Sequence, residues 1–90
     1  MYNIIASKTA LRQIDQLERS GSPAWQKFRV IYEELKNHPR RGTGRPERLK
    51  HQDVETWSRK LDKKNRLRYT VNDTTVIVFI VSAIGHYDDK

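Results

Sequence analysis

The sequence has no cysteine, and that absence excludes a disulfide scaffold, cysteine-based zinc sites and thiol catalysis. Hydrophobic residues make up only 36% of the chain, against ~45–50% in a typical globular domain, so we expect a thin core. The longest apolar run covers residues 76–81. This is far short of the ~20 residues that span a bilayer, so we expect no association with a membrane. The N-terminus also lacks a charged and then apolar leader, so we expect no secretory signal. The absence of cysteine fits a reducing cytoplasm, where we expect this protein to act.

Charge, in contrast, is abundant and unevenly distributed. The 90 residues, enough for one domain, carry a net charge of +7 and have a pI near 10.0. Residues 36–68 contain 12 Lys or Arg and four Asp or Glu, whereas the rest of the chain has a slight acidic excess. Such a stretch favours binding to nucleic acid, because its cations release counterions from phosphates. The alternative is a solvated face that keeps a small domain soluble.

The first half of the chain predicts a strand and two helices. Residues 2–6 are short and apolar, and Ser7 or Thr9 can cap the helix that follows. Apolar residues then recur at helical spacing in two stripes: Ala10, Leu11, Ile14 and Leu17, followed by Trp25, Phe28, Ile31, Tyr32 and Leu35. Between them, residues 20–23 place Ser22 as the N-cap and Pro23 at the first position of the second helix. This short connection predicts an antiparallel helical hairpin that ends near Asn37.

The second half of the chain is rich in strand-forming residues. We predict strands at residues 49–51, 56–61, 66–71 and 75–84, with turns at residues 62–65 and 72–74. Because this sheet follows two helices, the predicted fold class is α+β. It consists of an N-terminal strand, an antiparallel two-helix hairpin and a mostly antiparallel, twisted sheet.

Pairing Leu61 with Leu67 separates the two faces of the central strand hairpin. The apolar residues then share one face: Trp57, Leu61, Leu67, Tyr69 and Val71. The other face presents three cations: Lys60, Arg66 and Arg68. A slip of one residue would mix the two sets, which burial disfavours. Arg59 is the misfit, because this register puts its charge on the apolar face.

Within the predicted last strand, the run at residues 76–81 is apolar on both faces. The helices can cover one face. We expect a loop, another chain or a second molecule to cover the other.

Two kinds of site are disfavoured. The glycine-containing segment at residues 40–46 lacks the GxxxxGK[ST] spacing and does not lead into a helix, so we reject a nucleotide-binding loop. The three histidines, His38, His51 and His86, lack the close spacing of metal ligands. We therefore expect neither a metal site nor a cofactor.

RNA cleavage, however, needs only groups that this sequence contains. A base removes the proton of the ribose 2′-hydroxyl, an acid protonates the departing 5′-oxygen, and cations stabilise the phosphorane. The polar residues near the basic face supply these groups: Glu47, Lys50, His51, Lys60, Arg66, Arg68, His86 and Tyr87. Each of them, taken singly, is more often an ordinary surface residue. Binding of RNA or DNA without catalysis therefore stays open.

Four blocks of the sequence, in matching order and separation, resemble one known family. They are GTGRPERLKH at residues 42–51, WSRK at 57–60, NRLRY at 65–69 and HY at 86–87. The first block is similar to the GxGxPExLKH segment of the Txe/YoeB group of RelE-superfamily toxins, and the others follow as in that group. The similarity covers about half of the chain. Before residue 42 only the strand–helix–helix layout is shared.

The resemblance implies a RelE-like, microbial-RNase-like fold and a ribosome-dependent mRNA endonuclease that acts as the toxin of a toxin–antitoxin system. Such toxins cut the codon exposed in the ribosomal A site and leave a 2′,3′-cyclic phosphate and a 5′-hydroxyl, which inhibits translation. Carried over by position, Glu47 is the general base, His86 the general acid and Arg66 the phosphate-stabilising arginine. Lys50 supports the transition state, and Tyr87 orients or stacks on the substrate.

Other basic residues of the blocks are predicted to contact RNA: Arg45, Arg48, His51, Arg59, Lys60 and Arg68. Lys60 stands where the family often has the second arginine of an Arg-Arg pair, and a lysine lacks the bidentate fork of a guanidinium. Asp88 and Asp89 beyond the His-Tyr pair are a second departure. They would favour the charged form of His86 and would also repel RNA.

The resemblance also implies partners, namely a cognate antitoxin protein, the ribosome with its rRNA, and mRNA. An acidic or amphipathic antitoxin segment would suit both the basic stretch and the uncovered face of residues 76–81. The same face could instead join two copies in a homodimer. Operator DNA would be contacted only through the antitoxin complex.

Two alternative functions are also consistent with the sequence. The first is a catalytically inactive relative that only binds RNA or its antitoxin. The second is a basic DNA-binding partner in a repressor complex, although the second helix uses its apolar stripe for the core and offers no readable recognition helix.

Overall fold

Residues 1–85 are described in the computed structural model, and they form two helices and five strands. The elements are β1 (Asn3–Ala6), α1 (Lys8–Ser20), α2 (Pro23–Leu35), β2 (Glu47–Arg48), β3 (Thr56–Lys60), β4 (Arg66–Asn72) and β5 (Ile77–Ser82). Neither helix in this part of the chain has the length and apolar character needed to cross a membrane. The order of elements confirms the predicted α+β class.

Local chemistry explains where the helices begin and end. The Ser7 hydroxyl accepts a hydrogen bond from the N–H of Ala10 at 3.0 Å, which caps α1. Helix α1 ends at Gly21, which adopts the left-handed conformation with φ of +61°. Pro23 then opens α2 at its first turn, as the sequence predicts. Gly21 and Ser22 alone connect the two helices, which pack against each other.

The sheet has the strand order β1-β5-β4-β3-β2. Strand β1 pairs with β5 in parallel, and every other neighbouring pair is antiparallel. The first strand thus lies beside the last one, while β3 and β2 extend the sheet on the other side of β4. The sheet is therefore mostly antiparallel, as predicted.

The core lies between the helices and one face of the sheet. Alternate residues of the two central strands are fully buried there: Leu67, Tyr69, Val78 and Ile80. They pack against apolar side chains of the helices, among them Ala10, Leu17, Phe28, Ile31 and Leu35. The period-2 pattern of the strands and the period-3.6 pattern of the helices thus meet at one interface. The opposite sheet face, called the outer face below, carries the residues that alternate with the buried ones.

The predicted pairing of β3 with β4 is wrong by two residues, although the two faces are as predicted. Leu67 lies opposite Arg59, not Leu61, and Lys60 lies opposite Arg66. A shift of two residues keeps every side chain on its face, so hydrophobic alternation does not detect it. The turn decides the register, because the Asp62 carboxylate accepts hydrogen bonds from the N–H groups of Lys64 and Asn65.

The predicted short strand at residues 49–51 is also wrong, because β2 comprises Glu47 and Arg48. Leu49 still donates its N–H to the Thr56 carbonyl at 2.8 Å, but pairing stops there. His51 has φ of +61°, which is incompatible with an extended strand. At the other end of the sheet, β5 is shorter than the predicted 75–84, since Val76 has φ of +58° and β5 begins at Ile77.

The outer face of β1 and β5 is apolar and partly open. Ile5 lies beside Phe79 across the parallel pair, and these side chains are 46% and 36% exposed. Within residues 1–85 no loop buries them. The prediction that a partner or a second copy covers this face stays a prediction.

Candidate active site

A small polar depression opens on the outer face of the sheet, away from the helices. It has a volume of about 170 Å³ and is lined by Arg45, Glu47, Ser58, Lys60 and Arg66. Four of these were predicted site residues, and three of them are cations around a single carboxylate. The structure therefore brings Arg45, Glu47, Lys60 and Arg66 together from the loop before β2 and from three strands.

The strand register explains this arrangement. Glu47 on β2 pairs with Ser58 on β3, and Ser58 in turn pairs with Arg68 on β4. One step along, Lys60 pairs with Arg66. Because neighbouring strands lie only ~4.8 Å apart and side chains alternate between faces, the side chains of these paired residues all emerge on the outer face. They are Glu47, Ser58, Lys60, Arg66 and Arg68.

Ser58 is the lining residue that sequence reasoning did not select. It is buried, with 9% of its surface exposed, and lies between Glu47 and Arg68 in the register. A small side chain at this position leaves room between the carboxylate and the cations. In the sequence, only its place on the cationic face of the hairpin could have identified Ser58 as a site residue. Its pairing with Glu47 could not be predicted, because that pairing depends on β2, which was predicted at different residues.

The loop before β2 is held in a rare backbone conformation. Arg45 has φ of +53°, which a residue with a side chain seldom adopts, and Gly44 before it has φ of +87°. The Gly44 carbonyl accepts a hydrogen bond from the N–H of Lys60 at 2.6 Å. This bond fixes the loop that carries Arg45 and Glu47 to the strand that carries Lys60.

The prediction that Arg59 contacts RNA is contradicted, because its side chain is fully buried. Its guanidinium donates five hydrogen bonds, which is its full capacity. The acceptors are the Tyr69 hydroxyl, a Glu34 carboxylate oxygen and the carbonyls of His38, Arg41 and Thr43. Arg59, the cation that did not fit the apolar face in the sequence, is therefore an ordered internal charge on the helix side of the sheet.

Glu34 on α2 neutralises this internal charge. One of its oxygens lies 2.7 Å from Arg59 Nη1, and the carboxylate also accepts bonds from the N–H and the hydroxyl of Thr43. Burial by itself would raise the pKa of Glu34. The hydrogen bonds from Thr43 and Arg59 together outweigh it and hold the pKa below its usual value.

Three predicted site residues line a different depression. Arg48, Lys50 and His51 surround a space of about 480 Å³ together with neighbouring residues of their own segment. Arg48 lies opposite Trp57, so it emerges on the face away from Glu47. Arg68, on the outer face, donates to the Gln52 side chain at 3.0 Å and links this segment to the sheet.

His86 and Tyr87, the predicted acid and substrate-orienting residue, lie outside the described residues. The described chain ends at Gly85, whose carbonyl accepts a hydrogen bond from the N–H of Arg66 at 3.0 Å. The Gly85 N–H donates to the Asn65 side chain at 3.1 Å. The last described residue is thus fixed beside Arg66, one of the residues that line the depression.

The depression is suited to a phosphate group. Three cations can balance phosphate charge and the extra charge of a phosphorane, while a carboxylate can accept a proton from a hydroxyl beside it. Within residues 1–85, no group of three or more His, Asp or Glu side chains is arranged to hold a metal ion.

Two helices packed on a mostly antiparallel sheet, with a cationic depression on the open face, define a small basic α+β protein. The model of the YoeB-like toxins of bacterial type II toxin–antitoxin systems matches residues 7–87. The chain belongs to this family, and the resemblance found in the sequence is confirmed.

Individual relatives agree with this assignment. Toxin YoeB of Escherichia coli strain CFT073 is 35% identical over 52 residues, which is 58% of this chain and 62% of the relative. The match thus spans less than two thirds of that relative's length. A YoeB dimer from Staphylococcus aureus has a TM-score of 0.79 at 26% identity and covers 96% of this chain and 98% of its own. A YoeB–YefM complex from the same organism has a TM-score of 0.78 at 26% identity, with 97% and 99% covered.

Proposed function

We propose that this protein is a ribosome-dependent endoribonuclease, the toxin of a toxin–antitoxin pair, which cleaves mRNA in the A site and so inhibits translation. The observation that carries the proposal is the depression in which the Glu47 carboxylate faces Arg45, Lys60 and Arg66. This combination provides a proton acceptor beside a cationic phosphate site. Membership of the YoeB-like family supports the same function.

The proposed reaction needs no metal or cofactor. Glu47 removes the proton of the ribose 2′-hydroxyl, and the oxygen attacks the adjacent phosphorus. The bond from phosphorus to the 5′-oxygen breaks as His86 protonates that oxygen, leaving a 2′,3′-cyclic phosphate and a 5′-hydroxyl. Arg66 and Lys60 stabilise the phosphorane, Lys50 adds positive charge from the segment after β2, and Tyr87 orients the substrate.

The remaining cations are proposed to bind the RNA around this site. Arg45 lines the depression and Arg68 shares its face of the sheet. Arg48 and His51 line the separate depression formed by their own segment and are proposed to bind RNA there. Arg59 is left out of this surface because it is buried. Binding of this kind depends strongly on salt, because each phosphate contact releases counterions.

An antitoxin is the proposed protein partner in the cytoplasm. The S. aureus relative forms a complex with YefM, and this chain has an exposed apolar pair, Ile5 and Phe79, on the same sheet face as its cations. A segment with both apolar and acidic residues would complement that face. A homodimer, as in the other S. aureus structure, is the alternative use of the same surface, and operator DNA would be bound only through the antitoxin complex.

Cleavage during translation tests the proposed enzyme. The wild-type protein and the variants Glu47→Gln and His86→Ala are added to an in vitro translation reaction, and cuts in the mRNA are mapped by primer extension. We expect wild-type cuts that need ribosomes, with each variant slower by about 100-fold or more, because each change removes one step of proton transfer. The downstream fragments should carry 5′-hydroxyl ends, which a kinase labels without prior dephosphorylation.

The control is Glu18→Gln, which removes an exposed carboxylate from α1 and should cut at the wild-type rate. If wild-type protein binds ribosomes but never cuts mRNA, the inactive relative is the correct description. If Glu47→Gln or His86→Ala cuts as fast as wild type, the assigned roles are wrong even though the enzyme stands.

A further inference from the structure

The buried group around Arg59 holds the segment that leads into the active site. We call Arg59, Glu34 and Thr43 the Arg59 clamp. The Arg59 guanidinium donates to the carbonyls of His38, Arg41 and Thr43 at 2.8 to 3.2 Å, so one side chain binds the loop at three points. The Tyr69 hydroxyl, which accepts from Arg59 Nε, donates to a fourth carbonyl, that of Pro39.

Glu34 closes the clamp from the helix. Its carboxylate accepts the hydroxyl of Thr43 at 2.6 Å and the N–H of Thr43 at 2.8 Å, in addition to the bond from Arg59. Helix α2, strand β3 and residues 38–44 therefore meet at one ionic centre. Thr43 is the loop residue that bonds both members of the charged pair, through its carbonyl, its N–H and its hydroxyl.

The two glycines beside Thr43 fit this close approach. A Cβ on Gly42 would collide with a carboxylate oxygen of Glu34, and a Cβ on Gly44 would lie 2.8 Å from the Lys60 carbonyl. Both also have positive φ, of +125° and +87°. The Gly-Thr-Gly run is thus a contact surface for the clamp, which explains the glycines that superficially suggest a phosphate-binding loop.

Stability alone does not explain a charge at position 59. A buried ion pair can often be replaced by apolar residues of similar volume without loss of stability, because the desolvation of both charges offsets their attraction. What an apolar side chain could not do is bind three loop carbonyls in fixed directions. The three hydrogen bonds from Arg59 to these carbonyls fix the path of residues 38–44, and that path leads directly to Arg45 and Glu47.

We infer that the Arg59 clamp is a positioning device for the active site, an inference that rests on the proposed function. It holds Thr43 four positions before Glu47, and the adjacent Gly44 carbonyl bonds the N–H of Lys60 at 2.6 Å. The clamp thereby sets the general base against the cations of β3 and β4. Small displacements of a catalytic group lower the rate of the chemical step strongly, so loosening the clamp slows cleavage while RNA binding is retained.

Thr43 offers the cleanest test, because its side chain can be changed without burying or orphaning a full charge. Thr43→Val removes the hydroxyl donor to Glu34 at nearly constant shape, Thr43→Ser keeps it, and Glu33→Gln on the exposed side of α2 is the matched control. Cleavage of mRNA on translating ribosomes is measured as kcat and KM at a temperature where circular dichroism shows each variant to be folded. We expect Thr43→Val to lower kcat by about 10-fold with little change in KM, and Thr43→Ser and Glu33→Gln to match wild type.

Amide hydrogen exchange gives a second reading that does not depend on activity. Thr43→Val should speed the exchange of the Lys60 N–H, which bonds Gly44, while exchange of the core strand β5 stays as in wild type. If the wild-type protein never cuts RNA, the proposed function fails and this exchange experiment alone decides on the clamp. Unchanged exchange at Lys60, equal losses in Thr43→Ser and Thr43→Val, or an effect confined to KM would each overturn the inference.

Discussion

Gly44, in the loop before Glu47, lies in close contact with strand β3 of the sheet. Its φ of +87° and its carbonyl bond to the Lys60 N–H place its α-carbon directly against the backbone of β3. Arg45 after it also has positive φ, so two consecutive residues adopt conformations that most side chains avoid. A strained backbone persists only where surrounding contacts hold the chain in place. Here the hydrogen bonds between this loop and the side chains of Arg59 and Glu34 hold it.

Replacing Gly44 by alanine should therefore destabilise the protein much more than the same change at Gly21. An added Cβ at Gly44 meets the Lys60 carbonyl at 2.8 Å, whereas nothing lies within 4 Å of a Cβ at Gly21, which has a similar positive φ of +61°. We expect Gly44→Ala to lower the free energy of unfolding by about 2–3 kcal/mol and Gly21→Ala by about 1 kcal/mol. Urea denaturation of both variants measures the difference. Equal losses in the free energy of unfolding would show that the contact between an added Cβ at Gly44 and the Lys60 carbonyl costs nothing.

At the scale of elements, the two helices begin in different ways. The Ser7 hydroxyl accepts from the N–H of Ala10 and donates to the carbonyl of Val81 at 2.8 Å, so it caps α1 and also attaches it to β5. Ser22 occupies the equivalent position of α2, but among the described residues its side chain makes no capping bond, and Pro23 supplies the start of the helix. The two N-cap serines, Ser7 and Ser22, therefore contribute differently to stability, because only Ser7 is hydrogen-bonded to the sheet.

The serine pair gives a matched test of that difference. Ser7→Ala removes both the cap and the bond to β5, and should lower the free energy of unfolding by about 1–2 kcal/mol. Ser22→Ala removes only a hydroxyl contact with Ser20 and should change it by less than about 0.5 kcal/mol. Both values come from thermal or urea unfolding followed by circular dichroism. A loss at Ser22 as large as that at Ser7 would contradict the assigned roles.

At the scale of the whole molecule, one surface ion network joins segments that are far apart in the chain. Arg40 lies 2.6 Å from Glu55 and 3.0 Å from Asp73, and the Tyr2 hydroxyl donates to Asp73 at 2.6 Å. The network therefore links the residue before β1, the loop after α2, the segment before β3 and the turn between β4 and β5. The hydrogen bond from Arg40, aided by Trp57 and opposed by burial, lowers the pKa of Glu55 to about 2.

This low pKa makes the stability of the protein sensitive to acid. A carboxyl whose pKa is lower in the folded state contributes stability above its unfolded pKa of about 4.3, and loses it as the pH falls towards its folded pKa. Glu55→Gln should therefore cost about 2 kcal/mol at pH 7, and the difference from wild type should shrink steadily between pH 5 and pH 2.

Chemical denaturation across that pH range measures the effect. Asp15→Asn is the control, since Asp15 forms an exposed pair with Arg19 on α1, and its loss should change stability little. A Glu55→Gln deficit that stays constant down to pH 2 would show that its cause is not the ionised carboxylate.

Local pattern was sufficient to predict much of the molecule. Helical periodicity and the serine and glycine signals gave both helices, and strand alternation gave the two faces of the sheet, because these depend on neighbours a few residues away. The same alternation put Lys60 and Arg66 on one face, and the sequence blocks indicated the family. Arg45 and Glu47 also lie with these cations at the depression, whereas the assigned roles of all site residues remain predictions.

Only the tertiary structure decided the register of β3 with β4, the position of β2 and the surroundings of Arg59. The register differs from the prediction by two residues, a shift that no alternation pattern resolves, and it is set by hydrogen bonds within the turn at residues 62–65. Ser58 joins the site through the pairing of β2. In the sequence, Arg59 stands out as a cation on the apolar face of the hairpin, within the basic stretch that holds the entire charge excess. Its burial depends on acceptors from α2, β4 and residues 38–43, which only folding brings within hydrogen-bonding distance of one guanidinium.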